Sequence, residues 1–251
     1  MQSDVRFTCD DGFSMPGLLT TPTVARSGPR PALLMIYEAF GMNEEMARVA
    51  RELSEEGWTV LIPDLFARGR KGRGGRTLCI ARCLRTVATG EGVALDDLEA
   101  ARRWMVQLPE VDAERIGVVG FCMGGGFALL LAMNGHYRAS APFYGLAPKE
   151  MPASCPVVGS YGELDRSMAG APQRIIRNLD RLGVPHDVKV YPGVGHSFYT
   201  HAPNRVMTMI GPHLPGMPLG YDEASATDAH ERMVAFFRQH LDVVPADDRT
   251  G

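Results

Sequence analysis

Cys122 lies between two glycines in the pattern Gly120-Phe121-Cys122-Met123-Gly124. An apolar run precedes the cysteine and another follows it, which is typical of a strand that turns sharply into a helix and presents a nucleophile at the turn. A side chain at position 120 or 124 would crowd that turn, so glycine suits both positions. Glycines after a strand also bind nucleotide phosphates, but the spacing of a dinucleotide-binding motif differs. The pattern therefore favours Cys122 as a nucleophile.

A thiol nucleophile needs a base and a group that orients the base. Of the seven histidines, only His196 lies in a glycine-flanked loop just after a predicted strand. Asp165 and Glu163 follow the preceding predicted strand. We prefer Asp165 because it lies deeper in the loop and its shorter side chain would hold an imidazole more rigidly. Glu163 remains the alternative, and Asp165 could instead cap the helix that follows.

Glu38 is delivered to the same edge of the predicted sheet by an apolar strand at 32–37. It either competes for the thiol proton, contacts substrate, or is a solvated loop residue. Backbone amides of Met123 and of Ala39 or Phe40 are the expected donors to an oxyanion.

Strands alternate with helices along the chain, and this alternation must position these side chains. We predict an α/β fold with a doubly wound, mostly parallel sheet and helices on both faces, formed as a single domain over residues 1–251. The candidate catalytic residues then follow carboxyl ends of strands, where such sheets place their sites. After a hairpin at 5–19, the predicted strands are 32–37, 58–62, 115–119, 139–144, 156–161 and 186–191; the predicted helices are 43–56, 93–108, 122–133, 171–182 and 227–241.

The composition excludes several classes of protein. A net charge of −3 argues against a general polyanion binder, and no segment has the length and apolar character of a membrane span. Five cysteines are an odd number and are too few for a secreted scaffold held by disulfides. We therefore expect free thiols and a cytoplasmic location. Cys79 and Cys83 are one helical turn apart, but no second pair of ligands follows. We therefore expect packed core thiols and no metal site.

Residues 65–90 carry seven basic residues and no acidic one. The glycine-rich part, 69–76, predicts a mobile solvated loop. Attraction of an anionic small substrate is the second interpretation, and binding of nucleic acid is disfavoured because aromatic residues are not interleaved. The basic residues are Arg68, Arg70, Lys71, Arg73, Arg76, Arg82 and Arg85.

The stretch 206–226 is rich in proline, glycine and methionine. A loop of about 20 residues without its own structure is unusual in a compact domain unless it has a function. We therefore predict a lid or a dimer contact, and a surface loop is the alternative.

Together these motifs resemble the dienelactone hydrolase family of α/β-hydrolases over almost the whole chain. The resemblance implies a triad of Cys122, His196 and Asp165, with oxyanion donors at the amides of Ala39 and Met123. It also implies that Glu38 holds the thiol neutral until substrate arrives. The motifs are the segments at 38–43 (EAFGMN), 63–68 (PDLFAR), 97–101 (DLEAA), 120–125 (GFCMGG) and 195–198 (GHSF).

The resemblance to the family is weaker at the residues that would contact the substrate. Family members that open dienelactone grip its carboxylate with two arginines; one of these positions is Thr200 here, and the other aligns with Cys79, close to Arg82 and Arg85. Candidate substrate contacts are Phe40, Arg82, Arg85 and Phe198.

The function that follows is cofactor-independent hydrolysis of a small ester or lactone, with or without a carboxylate, through a thioacyl-enzyme. The protein would act as a monomer or homodimer. The alternative is a non-catalytic member that uses Cys122 as a ligand-binding or redox-responsive thiol.

Overall fold

The computed structural model describes residues 1–24, 28–69, 75–202 and 204–242, which form an eight-stranded sheet. Its strand order is β1-β2-β4-β3-β5-β6-β7-β8, with β2 antiparallel to β1 and β4 and all other neighbours parallel. The predicted mostly parallel α/β sheet and its leading hairpin are therefore confirmed. The strands are β1 (Gln2–Thr8), β2 (Ser14–Thr20), β3 (Arg30–Ile36), β4 (Thr59–Pro63), β5 (Val111–Phe121), β6 (Ala139–Phe143), β7 (Val157–Gly162) and β8 (His186–Tyr191).

Helices connect the strands. The Asn43 side chain caps the first helix by accepting a hydrogen bond from the amide of Met46, as its position before an apolar periodic segment predicts. Among the described helices, none is long and apolar enough to cross a bilayer. The helices are α1 (Glu44–Glu55), α2 (Gly75–Thr89), α3 (Val93–Met105), α4 (Met123–Leu131), α5 (Ala171–Leu182), α6 (Arg205–Ile210) and α7 (Glu223–Leu241).

The direction of winding reverses between β3 and β5. The β3-α1-β4 connection moves one way across the sheet and β5-α4-β6 moves the other way. Because such crossovers are right-handed, α1 and α4 cover opposite faces. Open α/β sheets bind ligands at the carboxyl ends of the strands where this reversal occurs. These ends are followed here by Glu38 and Cys122.

Helix α2 begins at Gly75, inside the loop predicted at 69–76, and continues to Thr89, where no helix was predicted. Its buried residues, Cys79, Cys83, Thr86 and Val87, recur at helical spacing, while the basic side chains point outward. The loop prediction is wrong at residues 75 and 76, and the helix was not predicted because the interpretation of this segment rested on charge and glycine content rather than on periodicity. The two thiols are buried in the core, as expected. Residues 70–74, the centre of the predicted mobile loop, lie outside the described residues.

The stretch 206–226 is not a structureless loop. It contains most of α6, a 3₁₀ turn at Gly211–His213 and the first turn of α7, which begins earlier than predicted. Asn204 and Asp222 cap the two helices through their side chains. These short polar caps stabilise helical turns despite the surrounding prolines and glycines. The prediction of a loop without its own structure was based on proline and glycine content and did not take these caps into account.

Arg68 fixes the segment that follows β4. Its guanidinium donates to both oxygens of Asp97 at 2.7 and 2.8 Å and to both oxygens of Asp11 at 2.7 and 3.0 Å. Asp97 is buried on α3, and Asp11 lies in the turn of the β1-β2 hairpin. One cation thus joins three segments distant in sequence, and it gives a structural reason for the arginine of the PDLFAR motif.

Candidate active site

Cys122 occupies a sharp turn between β5 and α4. Its backbone has φ 54° and ψ −114°, and α4 begins at the next residue, Met123. A Cβ atom on Gly120 would lie 2.0 Å from the carbonyl oxygen of Gly124, and one on Gly124 would lie 2.2 Å from that of Ile36. Both glycines are therefore required by close backbone approaches. Cys122 itself is partly exposed.

Backbone strain is concentrated around this turn. Among the described residues, the non-glycine residues with positive φ are Cys122, Tyr144 and Ser197. Tyr144 directly follows β6, and Ser197 directly follows His196. Such conformations cost about 1–3 kcal/mol each and persist only where the surroundings enforce them, which happens most often at functional sites.

Asp165 and His196 meet behind the cysteine. The carboxylate oxygen Oδ2 of Asp165 lies 2.6 Å from Nδ1 of His196, while its Oδ1 accepts a hydrogen bond from the amide of Ser167 at 3.1 Å. Asp165 therefore contacts the histidine and also caps the following turn, so both expectations for it describe real contacts. Glu163 is exposed and instead accepts a hydrogen bond from the amide of Gly193 at 2.9 Å.

The His196 ring has one nitrogen left for chemistry. Its Nε2 is buried and has no hydrogen-bond partner among the described residues. Burial alone would lower the pKa of His196, but the hydrogen bond to Asp165 and the nearby Cys122 thiol outweigh burial and raise this pKa to about 10. The ring is thus electrostatically coupled to the thiol on one side and to the carboxylate on the other.

The stretch 214–222 braces both loops, and we call it the clamp segment. The amide of His196 donates to the carbonyl oxygen of Pro218 at 2.7 Å, and the amide of Arg166 donates to that of Gly216 at 2.8 Å. A Cβ atom on Gly195 would lie 2.0 Å from the Pro218 oxygen. The glycine before the histidine therefore permits this contact. The sequence pattern of the clamp segment does not predict these contacts with the two loops.

Two backbone amides near Cys122 have no hydrogen-bond acceptor among the described residues. The amide of Met123 is at the first position of α4, where no carbonyl one turn earlier can accept it. The amide of Ala39, in the turn after β3, has no hydrogen-bond acceptor among the described residues. The close packing of Gly124 on Ile36 and Tyr37 brings these two segments together.

Glu38 is not solvated, because only 3% of its surface is exposed. Its Oε1 accepts hydrogen bonds from the Thr200 hydroxyl at 2.8 Å and from the Tyr144 hydroxyl at 3.0 Å. Burial raises the pKa of Glu38 above its ordinary value despite these donors. Tyr144 was not a candidate from the sequence. The signal that could have found it is its position directly after β6 at the same sheet edge.

A very small cavity of about 20 Å³ lies between the turn after β3 and the histidine loop. Phe40 lines it, as does Thr200. Phe198 is fully buried and packs on Tyr144 and Tyr191, at ring-centroid distances of 5.6 and 4.9 Å.

Arg82 and Arg85 are exposed on the outer face of α2. No hydrogen bond or ion pair among the described residues links either arginine to Cys122, His196 or Glu38. The structure thus brings the predicted nucleophile, base and acid together, and among the described residues it shows no polar contact between them and these two arginines. In the part of the chain that the structure describes, no group of three or more His, Cys, Asp or Glu side chains could hold a metal ion.

Known proteins resemble this chain over most of its length. A candidate carboxymethylenebutenolidase of Methylorubrum extorquens is 29% identical over 94% of this chain and 80% of its own length. The solved structure of a protein named m3DLH is 25% identical, with a TM-score of 0.80 over 96% of this chain and 98% of its own. A candidate dienelactone hydrolase of Klebsiella pneumoniae, 23% identical, has the same α/β-hydrolase fold, with a TM-score of 0.72 over 95% of this chain and 98% of its own. The model of the dienelactone hydrolase family matches residues 15–241. The chain belongs to the dienelactone hydrolase family of hydrolases.

Proposed function

We propose that this protein hydrolyses a small ester or lactone with Cys122 as the nucleophile, His196 as the base and Asp165 as the group that orients the base. The observation that carries the proposal is the 2.6 Å contact between Asp165 Oδ2 and His196 Nδ1, with the other ring nitrogen buried and unpaired beside the thiol. A base held in this way is what a thiol nucleophile needs. The name of the Methylorubrum relative supports a lactone or ester as substrate.

The reaction follows from these positions. The Cys122 thiol proton moves to His196 Nε2 as the sulfur attacks the carbonyl carbon. The amides of Ala39 and Met123 stabilise the negative charge that develops on the carbonyl oxygen. When the carbon–oxygen single bond of the ester breaks, the leaving alkoxide takes the proton from His196, and a thioacyl-enzyme remains. Water then gives a proton to Nε2 and attacks the thioester, which releases the acid and restores the thiol.

Glu38 would act before substrate arrives. When it is ionised, a carboxylate close to this site opposes further negative charge there. We propose that it disfavours the thiolate in the free enzyme, while the helix N-terminus at Met123 and the imidazole of His196 favour the thiolate. Phe40, at the cavity wall, is the proposed contact for the acyl group.

Hydrolysis of 4-nitrophenyl acetate and of a butenolide lactone by Cys122→Ala tests the proposal. The variant should lose at least about 10⁴-fold in kcat, as expected when a nucleophile is removed. Cys155→Ala is the matched control: this cysteine lies just before β7, at the amino ends of the strands and away from the site, and its loss should leave kcat within about twofold. Full activity of Cys122→Ala would end the proposal. Alkylation of Cys122 without any hydrolysis would favour the redox-responsive or ligand-binding thiol.

A further inference from the structure

Tyr199 packs the loop that carries His196 against the strand that leads to Cys122. It belongs to the histidine loop, which follows β8, and only 3% of its surface is exposed. Its ring lies almost parallel to that of Phe121, with 18° between the planes and 5.3 Å between the centroids, and its centroid is 4.6 Å from that of Phe143. Phe121 ends β5 and directly precedes Cys122. One side chain therefore joins the loop of the base to the strand of the nucleophile.

Helix α7 holds the other end of this side chain. The Tyr199 hydroxyl lies 2.8 Å from Nδ1 of His230, and the two rings are almost parallel, with 17° between their planes and 6.3 Å between their centroids. Burial raises the pKa of Tyr199 above its ordinary value, so the phenol is neutral at neutral pH and can donate to the imidazole nitrogen. Tyr199 thus spans from the end of β5 to α7, and His230 limits the movement of its ring.

The histidine loop needs such an anchor because its backbone is strained beside the base. Ser197, directly after His196, has φ 55°, a conformation that persists only where the surroundings enforce it. On one side of this residue, the amide of His196 donates to the carbonyl oxygen of Pro218 at 2.7 Å. On the other side, Tyr199 is anchored between β5 and α7. If either anchor is lost, relaxation of the strained residue would move the imidazole relative to the thiol.

We propose that Tyr199 is a positioning residue, which sets the distance between the imidazole of His196 and the thiol of Cys122. It does so because His230 holds its hydroxyl while its ring packs the histidine loop against Phe121. Tyr199 acts through His196 and not on a reacting atom. The inference rests on the proposed hydrolase function and deepens it, because it names a group that keeps the base beside the nucleophile.

Three variants remove or keep the hydrogen bond between Tyr199 and His230. Tyr199→Phe removes the donor and retains the ring, and His230→Leu removes the acceptor. Each should lower kcat/KM for 4-nitrophenyl acetate by about tenfold or more, because a displacement of about 1 Å costs on the order of 10²-fold and a smaller one costs less. His230→Asn should stay within about threefold of the wild type, since its side-chain oxygen can accept the hydrogen bond near the position of Nδ1.

The double variant Tyr199→Phe/His230→Leu shows whether the two groups act together. If they act through one hydrogen bond, the double variant should be no slower than the slower single variant. Losses that multiply would contradict the proposal, as would wild-type kcat/KM in both single variants. Because Tyr199→Phe adds no bulk, it decides the outcome if His230→Leu does not fold.

The pKa of His196 distinguishes positioning from a loss of stability. Burial lowers this pKa, but the hydrogen bond to Asp165 and the nearby Cys122 thiol raise it to about 10. If the imidazole moves away from the thiol, the contribution of the thiol falls. NMR titration should therefore show a lower pKa in Tyr199→Phe and in His230→Leu, but not in His230→Asn. A lower Tm with an unchanged pKa of His196 would show a structural role alone and would overturn the proposal.

Tyr137→Phe is the matched control. Tyr137 is also buried, and its hydroxyl donates to Oε1 of Glu99 at 3.2 Å, but it lies just before β6, at the amino ends of the parallel strands. Its substitution should leave kcat/KM within about twofold of the wild type and the pKa of His196 unchanged. A loss of kcat/KM as large as that of Tyr199→Phe would show that the effect is not specific to Tyr199, and the proposal would be rejected.

The two proposals fail differently. If the wild-type protein does not hydrolyse 4-nitrophenyl acetate or the butenolide, the hydrolase function fails, while the NMR titration still tests the position of His196 because it needs no turnover. If Cys122-dependent hydrolysis is present and Tyr199→Phe retains both kcat/KM and the pKa of His196, only the inference about Tyr199 is rejected.

Discussion

Oδ2 of Asp165 lies 2.6 Å from Nδ1 of His196, and the two side chains are 0% and 2% exposed. A buried carboxylate at this distance fixes both the orientation and the tautomer of the ring, so that Nε2 is the nitrogen that faces the reaction. Its exposed neighbour Glu163 contacts a backbone amide instead. Because only Asp165 contacts the histidine, substitutions of Asp165 and Glu163 should have different effects on activity.

Asp165→Asn should lower kcat by up to about 10⁴-fold, because the amide would stabilise the wrong tautomer of His196. It should also lower the pKa of His196, since the hydrogen bond to Asp165 is the largest contribution that raises it. Hydrolysis rates and NMR titration of the imidazole measure the two effects. Glu163→Gln is the control and should change kcat by less than about threefold; the opposite ranking would reassign the acid.

Gly195→Ala should lower the rate of hydrolysis although it replaces none of the proposed reacting groups. The new Cβ would meet the Pro218 oxygen at 2.0 Å, so the histidine loop must move. A displacement of about 1 Å costs on the order of 10²-fold in rate. Gly220→Ala tests the clamp segment without a clash, because its nearest neighbour would be 3.9 Å away. Steady-state kinetics of the two variants should differ, and equal activities would show that the clamp does not position His196.

Glu38→Gln should stabilise the folded protein near neutral pH. Because the pKa of Glu38 is raised in the folded state, its contribution to stability is present below the unfolded pKa and is lost as pH rises through the folded pKa. Glutamine has no such loss and can still accept hydrogen bonds from Thr200 and Tyr144. The Tm of the variant relative to wild type should therefore be higher at about pH 7.5 than at about pH 4.5.

Glu45→Gln provides a control of opposite sign. Although burial opposes it, hydrogen bonding by Arg48 and His201 lowers the pKa of Glu45 to about 2. This carboxylate stabilises the folded state above its unfolded pKa, so its replacement should cost more Tm near neutral pH than in acid. If both variants shift Tm in the same direction with pH, the assignment of Glu38 as a buried group with a raised pKa is wrong.

Arg68→Met should lower the free energy of unfolding by about 3 kcal/mol, because it leaves Asp97 buried without its cation. Arg103→Met removes a comparable ion pair to the same hairpin turn, with Asp10, but both partners are exposed. Surface pairs of this kind contribute about 0–1 kcal/mol. Urea denaturation compares the variants, and similar losses from both would contradict the structural role of Arg68.

The sharp turn at Cys122 and the winding of the sheet could be predicted from sequence because both depend on local patterns. Gly120 and Gly124 mark close backbone approaches, and the apolar runs mark buried strands. The loop positions of Asp165 and His196 follow from strand ends. These features do not require knowledge of which distant segments pack together.

The surroundings of Glu38 and His196 could not be predicted in the same way. Tyr144 and Thr200 reach Glu38 from positions 106 and 162 residues later in the chain. The clamp segment contacts His196 through the carbonyl oxygen of Pro218, and side-chain identity does not reveal a backbone acceptor. Helix α2 was not predicted because the charge and glycine content of residues 65–90 outweighed the one-turn spacing of Cys79 and Cys83.

The proposed mechanism requires that the acyl group of the substrate is transferred to the Cys122 sulfur. Rapid quenching of the protein with excess 4-nitrophenyl acetate, followed by peptide mass spectrometry, tests this claim directly. We expect one acetyl group on the peptide that contains Cys122, formed at the rate of the nitrophenol burst, and none in Cys122→Ala. An acetyl group on another residue that turns over at the steady-state rate, or undiminished hydrolysis by Cys122→Ala, would contradict it.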